Sequence, residues 1–295
     1  MLYICKRLNP SASKWVKMIN LLTIDVEDWY HDLAPSLWKF CEDRVVNATQ
    51  KILRIIKKRG YTATFFVLGH VAERFPELVE IINDEGHEVA THGYLHTPIT
   101  RKSKEEFEHD LRKSISLLEH ITKRKVLGHR ACRFSISKKT AWAIDILKIN
   151  GLKYDSSIFP TLTPEYGVPR APIHPYFISS SNIEENHANG DLIEFPLSVL
   201  SIPPFRINIP AAGGFYLRFF PYWFIKLALK KLNKMEYPAV VFIHPKDLDP
   251  QKPRVKGLGW HHYYGLSHAE EKFAKLLSDF KFTSIENYLE KLGEV

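Results

Sequence analysis

The feature that most constrains the fold is a regular alternation of short apolar runs with longer helical segments, which begins at residue 21. Seven apolar runs predict strands at 21–26, 62–68, 88–91, 126–128, 152–155, 192–195 and 239–244. Helical spacing of apolar residues predicts helices at 45–58, 76–85, 103–120, 137–150, 221–233 and 267–280. Ser103 and Glu106 have the spacing of a capping box at the start of the third helix. This alternation is typical of a β/α protein with a mainly parallel sheet.

The composition excludes several other classes of protein. Of the 295 residues, 45% are hydrophobic and 25% are charged, which does not fit a disordered chain, a collagen or a coiled coil. The net charge of +8 would favour an anionic partner through its long-range field. Basic and acidic residues are interleaved rather than gathered in a stripe, so we do not expect the chain to bind nucleic acid.

The cysteines and the start of the chain indicate a reduced protein. Cys5, Cys41 and Cys132 are an odd number without a C-x-x-C pair, which argues against a disulfide framework or a cysteine-based zinc site. The first apolar stretch is too short for the core of a signal peptide, and no run approaches the ~20 residues that cross a bilayer. We therefore expect a cytoplasmic protein. Residues 1–17 lack periodicity and are interpreted as an N-terminal extension, and residues 18–295 as one domain.

Three carboxylates follow the first predicted strand. Asp25, Glu27 and Asp28 lie within four residues of one another, so they repel each other unless a cation compensates their charge. A divalent metal would do so, and a solvated acidic turn is the alternative. The two-residue period of a strand puts Asp25 and Glu27 on one side, whereas Asp28 belongs to the following turn.

Histidines and an arginine follow three other predicted strands. His92 and His96, four residues apart, can bind one metal ion, although this spacing carries little weight alone in a chain with 14 histidines. Arg130 could hold a carboxylate ionised and oriented, or be a surface charge. His244 could be a general acid or a residue of the core edge. Because parallel strands end at the same edge of a sheet, two imidazoles and a carboxylate could form a catalytic zinc site there.

In chain order, five segments resemble the motifs of the polysaccharide deacetylase superfamily, which has the NodB homology domain and includes carbohydrate esterase family 4. These segments are residues 25–28, His92-x-x-x-His96, Gly128-His129-Arg130-Ala131, Tyr154-Asp155-Ser156-Ser157 and Ile243-His244-Pro245. The resemblance covers residues 20–292. It is greatest to the subgroup from exopolysaccharide and exosortase gene clusters, because that subgroup has similar segments at 25–29, 213–218 and 244–245.

The resemblance implies a distorted (β/α)₇ barrel that holds zinc, or Co, Ni or Mn, and removes N-acetyl groups from an amino sugar in a polysaccharide or its precursor. It assigns Asp25 as the base, His92 and His96 as metal ligands, and His244 as the acid. Arg130 would position the base. The third metal ligand is Glu27 or Asp28, with Glu27 slightly favoured. The expected substrate-binding residues are Trp29, Phe134, Asp155, Tyr216 and Arg218.

Two departures from the family pattern concern the cavity. Cys132 stands where a proline usually follows the arginine motif, and Lys246 stands where an aromatic residue is familiar. A backbone N–H after Arg130 is expected to stabilise the oxyanion.

We also expect peripheral association with membrane-bound polysaccharide machinery, with the protein at the inner face of the membrane. The alternatives are a hydrolase of cyclic or small-molecule amides and a catalytically inactive carbohydrate-binding barrel.

Overall fold

The computed structural model describes residues 19–187, 190, 192–202 and 207–295, so the predicted extension 1–17 lies outside the described residues. The strands are β1 (Ile19–Val26), β2 (Thr64–Val67), β3 (Glu88–Thr91), β4 (Gly128–His129), β5 (Tyr154–Asp155), β6 (Tyr176–Phe177), β7 (Ile193–Glu194), β8 (Val199–Ile202), β9 (Ile207–Pro210), β10 (Val240–Ile243) and β11 (Lys281–Thr283). The α-helices are α1 (Pro35–Trp38), α2 (Val45–Lys57), α3 (Gly69–Arg74), α4 (Pro76–Asp84), α5 (Lys104–Thr122), α6 (Ala143–Ile149), α7 (Phe215–Phe219), α8 (Tyr222–Lys234), α9 (Ala269–Asp279) and α10 (Ile285–Leu292).

The predicted parallel sheet is confirmed. All seven predicted strands are present, and they neighbour one another in the order β10, β1, β2, β3, β4, β5 and β7 with parallel pairing. Three further contributions were not predicted: β6 pairs with β7 in the antiparallel direction, β11 pairs with β1, and β8 and β9 form a separate hairpin. The fold is therefore a mixed α/β fold with a curled, mainly parallel sheet.

The curled sheet is a half-barrel in which β10 and β6 are the two ends of the main strand order. Residues outside the sheet bond the edge of β10 that faces away from β1. The Val240 N–H donates to Ser198 Oγ, and the Gly214 N–H, in the chain after β9, donates to the Phe242 carbonyl. Gly213 lies against this edge at φ 132°, and a Cβ atom there would stand 1.8 Å from the Phe242 carbonyl oxygen. Only glycine fits this close approach.

The helices cover the outer face of the sheet with apolar stripes. The predicted capping box at the start of α5 is confirmed, because the Glu106 N–H donates to Ser103 Oγ and the Ser103 N–H donates to the Glu106 carboxylate. Helix α5 then buries Phe107, Leu111 and Leu118 in the core. None of the described helices is both long and apolar enough to span a bilayer.

A buried histidine at the start of β3 gives the fold a pH dependence that can be tested. Burial lowers the pKa of His87 to about 4, and its Nδ1 accepts the Ala63 N–H at 3.3 Å. Between pH 6.5, the usual value, and about 4, the unfolded chain binds a proton that the native ring does not, so stability falls as the pH falls through this window. We expect this ring to account for about 1–3 kcal/mol of the loss.

Urea unfolding of the wild type and of His87→Asn at a series of pH values measures this contribution. The Asn oxygen can accept the Ala63 N–H without titrating, so the variant should lose less stability between neutral and acidic pH. His120→Asn, at an exposed position on α5, is the matched control and should follow the wild type. Equal pH slopes for His87→Asn and the wild type would contradict the prediction.

Candidate metal centre and active site

The carboxyl ends of the parallel strands surround a cavity of about 740 Å³. Five predicted site residues at or after the carboxyl ends of β1, β3 and β10 line it, namely Asp25, Glu27, His92, His96 and His244. Parallel strands of a β/α fold present the residues that follow them at one edge, so segments distant in sequence meet there. The sheet thus brings five titratable side chains into a single cavity.

Glu27, His92 and His96 converge at the base of the cavity. One ligand atom from each lies within 4.8 Å of the others. His92 Nδ1 is 2.8 Å from the Arg130 carbonyl oxygen, and His96 Nδ1 is 3.1 Å from the His31 carbonyl oxygen. A carbonyl can only accept, so both rings carry a proton on Nδ1 and direct Nε2 away from that carbonyl. Backbone carbonyls that accept from Nδ1 in this way are typical of histidines that bind a metal through Nε2.

The donors fit a divalent cation. Glu27 Oε2 is buried, has no hydrogen bond of acceptable geometry among the described residues, and lies 2.7 Å from His96 Nε2. A carboxylate oxygen and an imidazole nitrogen this close must share a proton or bind the same cation, and a divalent metal can replace that proton. Burial lowers the pKa of His92 to about 4, so its ring is neutral at neutral pH. Two neutral imidazoles and one carboxylate are the ligands of a catalytic zinc site with an open position.

Burial would raise the pKa of the Glu27 carboxyl, but the His96 imidazole and the Lys246 ammonium outweigh it and hold this pKa well below its usual value. Lys246 Nζ lies 2.6 Å from Glu27 Oε1 and 2.6 Å from Asp32 Oδ2. The lysine therefore occupies one carboxylate oxygen of Glu27 and leaves the other facing the imidazoles. From the sequence, Lys246 was noted only as a departure from the family pattern, and a role for Asp32 in the site was not predicted.

Asp28, the other ligand left open by the sequence, has a different place in the structure. Its Oδ1 accepts the Trp29 N–H at 2.8 Å, and its Oδ2 accepts the N–H groups of Arg44 and Val45 at 2.7 and 2.8 Å. Its carboxylate thus caps the short 3₁₀ helix Trp29–Asp32 and ties it to the start of α2. The structure brings Glu27, and not Asp28, to the two imidazoles.

Asp25 is paired with a buried arginine. Arg130 is fully buried, and its Nη1 donates to Asp25 Oδ1 at 2.7 Å and to Thr23 Oγ1 at 2.7 Å. Its remaining donors bond Ser156, and its guanidinium lies 4.2 Å from the centre of the Phe66 ring. The arginine fixes one oxygen of Asp25, while the other lies 3.8 Å from His244 Nε2. This arrangement leaves a carboxylate oxygen near the cavity to accept a proton.

His244 is held by a second carboxylate and arginine. His244 Nδ1 lies 2.8 Å from Asp247 Oδ2, and Asp247 Oδ1 accepts a bond of 2.9 Å from Arg218 Nε. Burial would lower the pKa of His244, but the Asp247 carboxylate outweighs it and raises this pKa. A histidine in this setting can hold a proton on Nε2 and deliver it. Sequence reasoning missed Asp247, although its spacing of three from His244 was a usable signal.

The predicted substrate-binding residues separate into two groups. Phe134, Tyr216 and Arg218 line the cavity, although the Arg218 guanidinium is occupied by Asp247 and by backbone carbonyls. Trp29 does not line it: this residue is 3% exposed, packs beside Tyr30 and donates its indole N–H to the Glu42 carbonyl.

Two further predicted groups, Asp155 and a backbone N–H after Arg130, belong to a buried hydrogen-bond network. Asp155 is fully buried and does not line the cavity, because it bonds His129 and Ser157. The Ala131 N–H, the first after Arg130, donates to Ser157 Oγ at 2.8 Å. Ser157 already accepts this N–H, so Ala131 is not the donor, and an oxyanion-binding N–H further along this loop stays a prediction. Asp155 and the Ala131 N–H both bond Ser157, and these bonds hold the loop that contains Arg130 in place.

Family models match two consecutive parts of the chain. Residues 34–154 match the model described as "Polysaccharide deacetylase", and residues 156–290 match one described as "Domain of unknown function (DUF3473)". The first match includes His92, His96 and Arg130, and the second includes His244. Asp25 and Glu27 precede both.

Curated relatives share only part of their length with this chain. A peptidoglycan deacetylase of Helicobacter pylori is 37% identical over 118 residues, which are 39% of this chain and 39% of the relative. A chitooligosaccharide deacetylase of Azorhizobium caulinodans is 25% identical over 103 residues, which are 35% of this chain and 47% of the relative. The chain thus matches less than half the length of either relative.

A solved structure has the same fold over most of its length. A crystal structure described as that of a "putative polysaccharide deacetylase from Mycobacterium smegmatis" superposes with a TM-score of 0.61 at 20% sequence identity. The superposition covers 93% of this chain and 90% of the other. At this identity the likeness establishes the fold, and the function has to be argued from the site.

Proposed function

We propose that this chain, for which sequence matches and fold support membership of the polysaccharide deacetylase superfamily, is a metal-dependent hydrolase that removes N-acetyl groups from an amino sugar. One observation carries the proposal. Possible ligand atoms of Glu27, His92 and His96 converge beside Asp25 and His244 in a single cavity. Side chains there are placed to hold a metal ion, to accept the proton of the attacking water and to donate a proton to the leaving amine.

A divalent cation held by Glu27, His92 and His96 would supply Lewis-acid chemistry, lowering the pKa of water and polarising the acetyl carbonyl. The second oxygen of Asp25 accepts the proton that the attacking water loses, and Arg130 orients this carboxylate through its bond to Oδ1. His244 donates a proton to the sugar nitrogen as the carbon–nitrogen bond breaks. Water and the amide are thereby converted to acetate and a free amine.

We propose zinc as the metal, with Co, Ni or Mn as alternatives, because imidazole and carboxylate ligands suit all four ions. The finer substrate is an amino sugar in an exopolysaccharide or its precursor, processed in the cytoplasm at the inner face of the membrane. These assignments, the subgroup and the division into an extension and one domain remain predictions. The names of the relatives support N-acetylated sugars as the substrate class.

Loss of one imidazole should remove the metal. His92→Ala leaves two protein ligands where three converge, so bound zinc should fall from about one per chain to nearly none, and acetate release should fall with it. Elemental analysis after dialysis against zinc, together with an acetate assay on chitooligosaccharides, measures both quantities.

His109→Ala, at an exposed position on α5, is the matched control and should keep metal and activity. Full metal content in purified His92→Ala would refute the proposed centre. Metal binding without acetate release from any N-acetylated sugar would instead favour the inactive carbohydrate-binding barrel. Ring opening of a cyclic amide in place of acetate release would favour a small-molecule amide hydrolase.

A further inference from the structure

Helix α8 (Tyr222–Lys234) exposes a face that is apolar at one end and cationic at the other. Trp223 and Leu227, four residues apart, are 65% and 48% exposed. Lys230 and Lys234 are also exposed and continue the same stripe at helical spacing. The opposite side of the helix is buried in the core through Phe224, Ile225, Ala228, Leu229 and Leu232. Packing of the fold therefore does not explain the exposed tryptophan and leucine.

The charge on α8 has a single sign. The helix contains four lysines and no acidic residue. Lys226 pairs with Asp279 of α9, and Lys231 donates to the Ser201 carbonyl. Lys230 and Lys234 form no ion pair with another described residue. Two ammonium groups thus remain available to an anionic partner beside the exposed apolar side chains.

An exposed aromatic cluster connects this helix with the mouth of the cavity. Phe219, Trp260 and Tyr264 are 43%, 64% and 47% exposed, and the Phe219 ring lies 6.5 Å from Trp260 and 5.7 Å from Tyr264. Trp260 lines the cavity. Helix α7 ends at Phe219, and only two residues separate it from α8. We call Phe219, Trp260, Tyr264 and the exposed stripe of α8 together the aromatic-basic face.

We propose that the aromatic-basic face docks the protein on the surface of an anionic phospholipid bilayer. Tryptophan and tyrosine favour the interface between headgroups and acyl chains. An amphipathic helix with lysines beside tryptophan and leucine lies in that interface, and anionic lipids attract each lysine. A second copy of the chain fits less well, because α8 has no acidic residue that could pair with Lys230 and Lys234 of the other copy.

Docking would turn the cavity mouth, which Trp260 borders, towards the headgroup region. The inference rests on the proposed function only for the substrate: an amino sugar carried on a membrane lipid would reach the cavity from this side. Binding to the bilayer itself requires neither metal nor catalysis, so the two proposals can fail independently.

Co-sedimentation of the full chain with vesicles tests the docking surface. Vesicles of phosphatidylcholine with a minority of phosphatidylglycerol should bind the protein, high salt should weaken binding, and pure phosphatidylcholine should bind it less. Lys230→Glu/Lys234→Glu and Trp223→Ser/Leu227→Ser should each weaken binding to the anionic vesicles by at least about tenfold. All four positions are exposed, so thermal unfolding should change little.

Control variants test whether vesicle binding depends on the aromatic-basic face rather than on the net charge or on any exposed apolar residue. Lys58→Glu/Arg59→Glu and Ile149→Ser alter exposed residues elsewhere and should bind the vesicles like the wild type. His92→Ala should also bind like the wild type, although we expect it to lack metal and activity. Unchanged binding in both face variants, equal binding to neutral and anionic vesicles, or a dimer that either face variant dissociates would each overturn the inference.

Discussion

Replacing Asp25 by Asn is expected to lower acetate release by about 10²–10⁴-fold while metal content stays unchanged. The amide oxygen of Asn can still accept the Arg130 bond, but it cannot take a proton from water at neutral pH. Asp25 is not one of the three converging ligands, so the variant should still bind zinc. Turnover of chitooligosaccharides and elemental analysis on the same purified sample measure the two effects.

Asp249→Asn is the matched control for this substitution. Asp249 also pairs with an arginine, Arg44, and lies outside the cavity lining, so its loss should leave turnover near that of the wild type. Turnover of Asp25→Asn within tenfold of the wild type would exclude Asp25 as the base. Loss of zinc in Asp25→Asn would show instead that Asp25 is needed to form the metal centre.

The sequence predicts the parallel part of the fold because that part depends on local patterns. Each of the seven predicted strands overlaps a run rich in apolar residues, and helices α2 and α5 have apolar stripes of the expected period. Strands β4, β5 and β7 have only two residues each but belong to such longer runs, whereas β6 and β11, of two and three residues, lie outside them. Strands β6 and β11 exist through pairing with β7 and β1, so the local pattern does not predict them.

The residues of the candidate site were likewise predicted where they depend on a local pattern and not where they depend on distant contacts. The strand ends indicated Asp25, His92, Arg130 and His244, because each lies at or just after the end of a predicted strand. The choice between Glu27 and Asp28 depends on N–H groups of Arg44 and Val45, which come 16 and 17 residues after Asp28. No local sequence pattern predicts that contact, and the two-residue period of β1 only favoured Glu27 over Asp28 as the metal ligand.

The contacts that orient site residues were predicted for Arg130 but not for Lys246, and Asp32 and Asp247 were missed altogether. Lys246 bonds Glu27 and Asp32, more than 200 residues away in the chain, and Asp247 bonds Arg218. A buried polar residue must find a partner, and the fold decides which one. The sequence therefore indicates which side chains meet at the cavity more readily than it indicates which groups orient them.

Replacing Arg130 by Met is expected to destabilise the protein by about 3–5 kcal/mol. The substitution leaves the buried carboxylate of Asp25 without its counter-charge and removes the donors to Thr23 and Ser156. Methionine keeps much of the side-chain length, so lost packing contributes less than the lost charge. Urea unfolding at neutral pH measures the free energy of unfolding of both proteins.

A double-mutant cycle separates the ion pair from other effects of Arg130→Met. Asp25→Asn/Arg130→Met should be more stable than the sum of the two single losses predicts, because the double variant no longer buries an unpaired charge. Arg124→Met is the surface control: Arg124 bonds both Glu286 oxygens at 2.9 Å but is 46% exposed, so its loss should cost about 0–1 kcal/mol. If Arg130→Met costs no more than Arg124→Met, the buried pair of Arg130 and Asp25 does not stabilise the protein, and the prediction is wrong.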